Sequence, residues 1–228
     1  MLVVGVGAGR RGKFTESLVR TVLEGTGLDT EFISLSGKLV RPCEACNGCV
    51  ETNRCVLRDD FDAVWERVAA ADGLVFGAPT YWDRMNTKGA AFWERLCFTG
   101  RHRERFPLRG KPAAMVAVDG SAGTGEYVLG DLGRYFADAR LDVVGDVAGG
   151  GEFACFTCGF GEDCDVGGFL SLYPPGTSIE PDRIPSLENQ CPHLGDGEAR
   201  TRGEALRRSA LDLGDALARR IIHRGEGA

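Results

Sequence analysis

The sequence predicts an α/β domain in which a parallel sheet carries helices on both faces. Short apolar runs, rich in β-branched residues and bounded by glycine, alternate with segments whose apolar residues recur at helical spacing. Strands that alternate with helices build βαβ units, and these units assemble into a parallel sheet. The chain of 228 residues is 43% apolar and 26% charged, so it is long enough and apolar enough to bury a full core.

The elements follow one another in regular order along the first two thirds of the chain. Strands are predicted at residues 2–6, 31–35, 74–76, 113–118 and 143–147. Thr15 is predicted to cap the first helix, and Gly25 and Gly27 are predicted to end it. Asp59 or Asp60 is predicted to cap the second helix. Further helices are predicted over 88–98, 127–139 and 198–223. Five strands in this arrangement suggest a doubly wound, flavodoxin-like sheet of order 2-1-3-4-5.

Composition excludes several classes of function. The net charge of −6 argues against a nucleic-acid partner, which would require a basic surface. No apolar run approaches the roughly 20 residues that span a bilayer, so no membrane association is expected. The apolar start runs straight into glycines without a basic leader, which favours a first strand over a signal peptide. We therefore expect a cytoplasmic protein.

Three loops at the carboxyl ends of predicted strands are suited to a ligand, because doubly wound sheets bind ligands at that edge. In the first loop, glycines, basic side chains and a helix N-terminus favour a phosphate. The second carries two aromatic residues suited to a flat ring, and the third is rich in glycine. Ordinary tight turns, and core positions for the two aromatics, remain as alternatives. The candidate ligand-binding residues are Gly7, Ala8, Gly9, Arg10, Lys13 and Thr15 in the first loop, Pro79, Thr80, Tyr81 and Trp82 in the second, and Asp119, Gly120, Ser121 and Gly123 in the third.

The strongest signal in the chain is a first cysteine group, Cys43-x2-Cys46-x2-Cys49-x5-Cys55. Clustered cysteines in a reducing compartment indicate metal ligands or redox groups more often than disulfides. Cubane clusters take four thiolates, and a tight run of this kind wraps a small loop around one face of a cluster. Structural zinc also takes four thiolates, usually from two separated pairs. The spacing therefore favours a [4Fe–4S] cluster over zinc or free thiols.

A second cysteine group lies in residues 149–197, a segment rich in Gly, Pro, Asp and Cys that breaks the alternation of strands and helices. Its candidate ligands are Cys155, Cys158, Cys164 and Cys191. A bound metal would explain how so long a segment is ordered, because metal binding supplies folding free energy. A second iron–sulfur cluster, zinc and unligated thiols all remain open here. Cys97, inside a predicted apolar helix, is expected to be a core residue.

The motifs together resemble those of the NADPH-dependent FMN reductase superfamily, and within it the iron–sulfur flavoproteins. Gly77-Ala-Pro-Thr-Tyr81 resembles the loop that follows strand three, Arg10 and Thr15 match the phosphate loop, and the first cysteine group resembles the cluster motif. The resemblance covers about residues 1–149 and implies an FMN-dependent oxidoreductase. It divides the chain into an FMN-binding domain (1–148) that includes the 43–55 cysteine loop, a metal-binding segment (149–197) and a closing helix (198–228).

Three functions follow from these interpretations. The first is electron transfer between FMN and one or two [4Fe–4S] clusters, with ferredoxin or NAD(P)H as partner. The second is an FMN-dependent dehydrogenase or reductase of a small organic substrate. The third is a non-enzymatic, zinc-stapled binding module. No side chain is assigned a catalytic acid–base role, because the cofactors supply the redox chemistry. The resemblance also implies a homo-oligomer, either a dimer or a tetramer.

Overall fold

A six-stranded sheet forms the centre of the molecule. The structure is a computed structural model and describes residues 1–120, 125–152, 154–166, 178–180, 184–190 and 196–226. The strands are β1 (Leu2–Gly7), β2 (Asp29–Ser34), β3 (Gly73–Tyr81), β4 (Arg84–Met85), β5 (Pro112–Asp119) and β6 (Asp142–Gly150). The helices are α1 (Phe14–Thr26), α2 (Phe61–Ala70), α3 (Thr87–Gly100), α4 (Gly125–Asp138) and α5 (Asp196–Glu226). Among these helices, none combines the length and the apolar content needed to cross a bilayer.

The strand order is β2-β1-β3-β5-β6, and these five strands are parallel. The short β4 pairs antiparallel with the end of β3 and lies off this path. Without β4 the order is the predicted 2-1-3-4-5, so the flavodoxin-like prediction is confirmed. In this order β1, β3 and β5 are neighbours, and the three candidate loops therefore leave the same edge of the sheet side by side.

Two apolar cores lie on opposite faces of the sheet. On one face α1 and α5 cover the sheet, and their core includes Val3, Val75 and Val116. On the other face α2, α3 and α4 cover it, and that core includes Val4 and Phe76. Successive strand residues point to opposite faces, so strands buried on both faces need apolar residues at nearly every position. This requirement explains the continuous apolar runs in the sequence.

Helices α1 and α5 approach each other through glycine. A Cβ placed on Gly214 of α5 would lie 2.1 Å from the carbonyl oxygen of Val22, and one on Gly25 of α1 would lie 2.3 Å from the carbonyl oxygen of Leu211. The two backbones are therefore in direct contact, and a side chain at either glycine would push them apart. Gly25 does not end α1 as predicted; Gly27, in a left-handed conformation, is the residue that follows the helix.

Of the two predicted caps, one is wrong and one is confirmed. Thr15 lies inside the first turn of α1, and the N-cap position belongs to Lys13, whose side chain makes no capping bond. Asp60 occupies the N-cap of α2, as predicted for Asp59 or Asp60. The Asp59 carboxylate accepts the Phe61 N–H at 3.1 Å, whereas the Asp60 carboxylate accepts the N–H of Leu39 at 2.7 Å.

Candidate functional site

A cavity of about 480 Å³ opens at the carboxyl edge of the sheet, where the three predicted loops meet. Its volume lies within the range of roughly 300–1,000 Å³ that is usual for small-molecule sites. Nine of the fourteen predicted ligand residues line it: Arg10, Lys13, Thr15, Pro79, Thr80, Tyr81, Trp82, Asp119 and Gly120. The fold thus brings together side chains that lie more than a hundred residues apart in the sequence.

The first loop presents an anion site to this cavity. Helix α1 begins there without a side-chain cap, so N–H groups of its first turn face the cavity end of the helix. Arg10 and Lys13 add two cations. Both cations are engaged by Glu152, whose carboxylate lies 3.0 Å from Arg10 Nη2 and 2.9 Å from Lys13 Nζ. The Glu152 side chain is only 8% exposed, so an internal carboxylate sits at the place predicted for a phosphate.

The three small residues of this loop have a different role from the one predicted. Gly7 and Ala8 do not line the cavity. The Ala8 N–H donates to the carbonyl oxygen of Gly77 at 2.8 Å, and the Ala8 carbonyl accepts the side-chain amide of Asn86 at 2.8 Å. A Cβ on Gly9 would lie 2.5 Å from Thr15 Oγ1, so the loop packs tightly against the start of α1. Gly7, Ala8 and Gly9 therefore shape the loop and anchor it to neighbouring elements.

The second loop is a β-hairpin that holds two aromatic side chains at the cavity. Trp82 and Asp83 join β3 to β4 with φ values of 52° and 57°, the pattern of a type I′ turn that usually takes Asn or Gly. Tyr81 is 50% exposed and Trp82 is 99% exposed. The alternative that these aromatics are core residues is therefore wrong. An exposed, conformationally strained aromatic turn beside a cavity is suited to contact a flat ring.

The third loop is described only in part. Asp119 ends β5, is buried, and accepts the Gly125 N–H at the start of α4 at 3.3 Å. It ties the beginning and end of the loop together beside the cavity. Ser121 and Gly123, two of the predicted ligand residues, lie outside the described residues, as does Cys191 of the second cysteine group.

The first cysteine group forms one loop between β2 and α2. Cys43, Cys46, Cys49 and Cys55 line a common small cavity of about 20 Å³, together with Phe98, Leu57 and other residues. Burial raises the pKa of the Cys49 thiol, and the three neighbouring cysteines raise it further. The Cys49 sulfur also lies 3.1 Å from His102 Nε2. Four thiols in mutual electrostatic range form a donor set of the kind that iron–sulfur clusters and zinc take.

The described side chains do not form a site for a single ion. Among the described residues, no three Cys, His, Asp or Glu side chains are grouped closely enough to bind one metal ion. In a cubane each thiolate binds a different iron, so its four sulfurs need not converge on one point. The fold places the four thiols around one cavity.

The second cysteine group begins at the ligand cavity itself. Cys155 lines that cavity, next to Glu152. The Phe160 N–H donates to the Cys158 sulfur at 3.4 Å, and Gly159 between them adopts a left-handed conformation with φ of 84°. This turn aims a backbone donor at a sulfur, an arrangement that tunes metal-bound thiolates. Cys97 is half-buried in α3, where burial raises its thiol pKa to about 12, as befits a core cysteine.

Comparison with known proteins agrees with this geometry. A family model of NADPH-dependent FMN reductases matches residues 1–149. An iron–sulfur flavoprotein of Methanosarcina thermophila is 32% identical over 151 residues, which span 64% of this chain and 78% of the relative. Another from Methanocaldococcus jannaschii is 34% identical over 151 residues, 64% of this chain and 77% of the relative.

The chain belongs to the NADPH-dependent FMN reductase family, and within it to the iron–sulfur flavoproteins. It is an FMN-dependent oxidoreductase. Among solved structures, RosB with a bound 8-demethyl-8-formylriboflavin-5′-phosphate intermediate superimposes with a TM-score of 0.61 at 17% identity, over 98% of this chain and 81% of RosB. At that identity the likeness concerns the fold alone. The alternative of a non-enzymatic binding module is wrong, because the family is one of flavin-dependent oxidoreductases.

The motifs of this iron–sulfur flavoprotein do not predict several residues that line the ligand cavity or contact the cysteine loop. Glu152 and Cys155 line the cavity although they follow the last strand of the sheet. Arg95 and His102 lie against the cysteine loop although they come some forty residues after its last cysteine. Glu152, Arg95 and His102 stand in no motif, and Cys155 was predicted as a metal ligand and not as part of the ligand cavity; only the packing of their elements brings these residues to the sites. The Cys155-x2-Cys158-Gly159 sequence was the one available signal for the turn that follows β6.

Proposed function

We propose that this protein transfers electrons between FMN, bound in the cavity at the carboxyl edge of the sheet, and a [4Fe–4S] cluster bound by Cys43, Cys46, Cys49 and Cys55. The observation that carries the proposal is the convergence of the four thiols on one cavity in a chain whose flavin fold is established. The names of its relatives, iron–sulfur flavoproteins, support the same pairing of cofactors. Flavin exchanges electrons in pairs or singly and a cluster exchanges them singly, so the two groups together link two-electron and one-electron carriers.

The residues of the cavity have separable roles in this proposal. Arg10, Lys13 and the first turn of α1 would hold the FMN phosphate. Tyr81 and Trp82, both exposed at the cavity, would contact the ring. Asn86 caps α3 through Gly89 and also binds the carbonyl of Ala8, so it holds the first two loops at a fixed separation.

The second cysteine group is proposed as a further metal site made by Cys155, Cys158, Cys164 and Cys191. The N–H to sulfur bond at Cys158 and the left-handed Gly159 support it. Either a second [4Fe–4S] cluster or zinc would suit four thiolates. Because Cys155 also lines the flavin cavity, a redox-active group here would lie beside FMN.

The electron partner is proposed as NAD(P)H or ferredoxin, and the protein as a homodimer or homotetramer. Reduction by NADPH, NADH or reduced ferredoxin, measured as bleaching of the flavin, distinguishes the donors. An FMN-dependent reductase of a small organic substrate is the second candidate function. It is favoured by a cavity of about 670 Å³ that adjoins the flavin cavity and shares Lys13, Phe14 and Glu152 with it.

The decisive experiment is anaerobic purification followed by assay of iron, zinc, sulfide and released flavin per chain. One FMN with about four iron and four sulfide supports a single cubane, and about eight of each supports two. In Cys46→Ser, about four iron and four sulfide should be lost while FMN remains bound. Cys97→Ala is the matched control, and its iron content should equal that of the wild type. Wild-type protein with zinc and FMN but no iron would contradict the proposal.

A further inference from the structure

A buried cation lies against the cysteine loop. Arg95 projects from α3 into the wall of the cavity that the four cysteines line, and only 1% of its side chain is exposed. Burying a guanidinium is costly unless it is paired and hydrogen-bonded. Its partners therefore indicate what it does.

The guanidinium is fixed at the base of the loop. Arg95 Nη1 lies 2.6 Å from the Asp59 carboxylate, which is itself completely buried. Asp59 also accepts the N–H of Arg41 at 2.9 Å, and Arg95 donates to the carbonyl oxygens of Arg41 at 3.4 Å and Leu57 at 3.5 Å. Arg41 precedes Cys43 by two residues and Leu57 follows Cys55 by two. The buried pair thus joins the two ends of the cysteine loop.

Hydrogen-bonding capacity remains on the guanidinium after these bonds. Arg95 Nε is buried and has no hydrogen-bond partner among the residues that the structure describes. Arg95 and Cys55 line the same cavity. Cys55 therefore shares this cavity with a cation that has a donor to spare.

Arg95 and Asp59 are the buried charges beside this cavity. Arg41 lies 4.0 Å from the same Asp59 oxygen that binds Arg95 and 3.9 Å from the exposed Glu44, so Arg95 is the one of these two cations that is shielded from water. Four thiolates bring more negative charge than the iron–sulfide core of an oxidised cubane neutralises, and reduction adds another electron. The reduction potential of a cluster depends on nearby charge and on hydrogen bonds to its sulfurs.

We propose that Arg95 is a positioning residue for the four-cysteine site: it closes the loop through Arg41 and Leu57, and its buried guanidinium, which lines the same cavity as the four thiols, raises the reduction potential of the bound group. This inference rests on the proposed function, because the bound group is taken to be the [4Fe–4S] cluster. It assigns the tuning of that potential to a buried ion pair outside the cysteine motif.

The test compares two variants that differ only in the guanidinium. Asp59→Asn keeps Arg95 with a neutral acceptor, and Asp59→Asn with Arg95→Met removes the cation without leaving a buried carboxylate unpaired. The potential of the cluster is measured by anaerobic redox titration followed by electron paramagnetic resonance. We expect Asp59→Asn to raise the potential above that of the wild type. We expect the double variant to lie below Asp59→Asn by at least about tenfold in the equilibrium constant for one-electron reduction, which is about 59 mV.

Lys111→Met is the matched control, because Lys111 is another buried cation and lies outside the cysteine cavity. Its cluster potential should equal that of the wild type. Equal potentials in Asp59→Asn and the double variant, or an equal shift in Lys111→Met, would overturn the inference. A double variant that remains folded and binds FMN but holds no iron would support the role of Arg95 in positioning the loop.

If wild-type protein holds no iron, the proposed function fails, and the role of Arg95 is judged separately with Co²⁺. The thiolate-to-cobalt absorption of the reduced chain is titrated with Co²⁺ under anaerobic conditions. Binding to the double variant that is at least about tenfold weaker than to Asp59→Asn would support the inference, because a cobalt–thiolate site is also anionic. Equal affinity would overturn it.

Discussion

Glu152 is expected to weaken the binding of FMN, and its removal should tighten it. The Glu152 carboxylate lies about 3 Å from both cations of the phosphate loop and is nearly buried. A phosphate bound to the same two nitrogens would lie within about 6 Å of this carboxylate. At that distance the repulsion per unit charge is about 0.7 kcal/mol in water and about 3 kcal/mol at an effective dielectric constant near 20. Glu152→Gln should therefore lower the dissociation constant of FMN roughly three- to 150-fold per unit of phosphate charge.

The assay is the quenching of flavin fluorescence when FMN is added to flavin-free protein. Riboflavin, which lacks the phosphate, is the control ligand, and its affinity should be the same for wild type and Glu152→Gln. The gain for FMN should shrink as salt is added, because salt screens the partly exposed cations. Arg10→Gln should have the opposite effect and weaken the binding of FMN without changing that of riboflavin.

The reasoning is refuted if Glu152→Gln binds FMN no more tightly than the wild type, or if riboflavin gains as much as FMN. Weaker binding of FMN would mean that the carboxylate mainly orients Arg10 and Lys13 for the phosphate. Tighter binding of FMN by Glu152→Gln would mean that Glu152 weakens FMN binding in the wild type, so that FMN dissociates more readily than the basic loop suggests.

Three further predictions concern stability and the specificity of the metal sites. Gly214→Ala should lower the free energy of unfolding, measured in urea, by about 1–3 kcal/mol, because the added methyl group would meet the carbonyl oxygen of Val22. Gly130→Ala is the control: the added methyl group has open space, so this change should raise the free energy of unfolding by about 0.5–1 kcal/mol. Burial lowers the pKa of Lys111 from 10.5 to about 8, so the folded state resists its protonation. The unfolding free energy of the wild type relative to Lys111→Met should therefore rise by at most about 3 kcal/mol between pH 8 and pH 10.5, and a flat difference would contradict this pKa. Cys97→Ser should change neither iron nor sulfide per chain, and loss of either would place Cys97 among the ligands.

The order of strands and helices could be predicted because it depends on local patterns. Strands buried on both faces need continuous apolar runs, and helices that cover a sheet need an apolar stripe, so each element is visible in its own segment. The strand order then follows from the regular alternation. The cysteine loop was visible for a similar reason, since its four cysteines lie within thirteen residues.

Other features depend on residues that only folding brings together. In the sequence Trp82 could equally have been a core residue. It is exposed because it lies in a two-residue turn, and the turn contains neither the glycine nor the asparagine that usually predicts one. The cap of α1 was placed wrongly because the loop packs around Gly9 and Thr15 and shifts the start of the helix. Local composition does not record such competition between neighbouring elements.

The charges that act on the two sites are of this second kind. Glu152 reaches Arg10 across more than a hundred residues, and Asp59, in the loop before α2, meets Arg95 of α3. In the sequence these are ordinary charged residues, as common as any on a solvated surface. Burial gives them their importance, because the interaction between two charges strengthens as water is excluded, and burial is a property of the assembled layers of the fold.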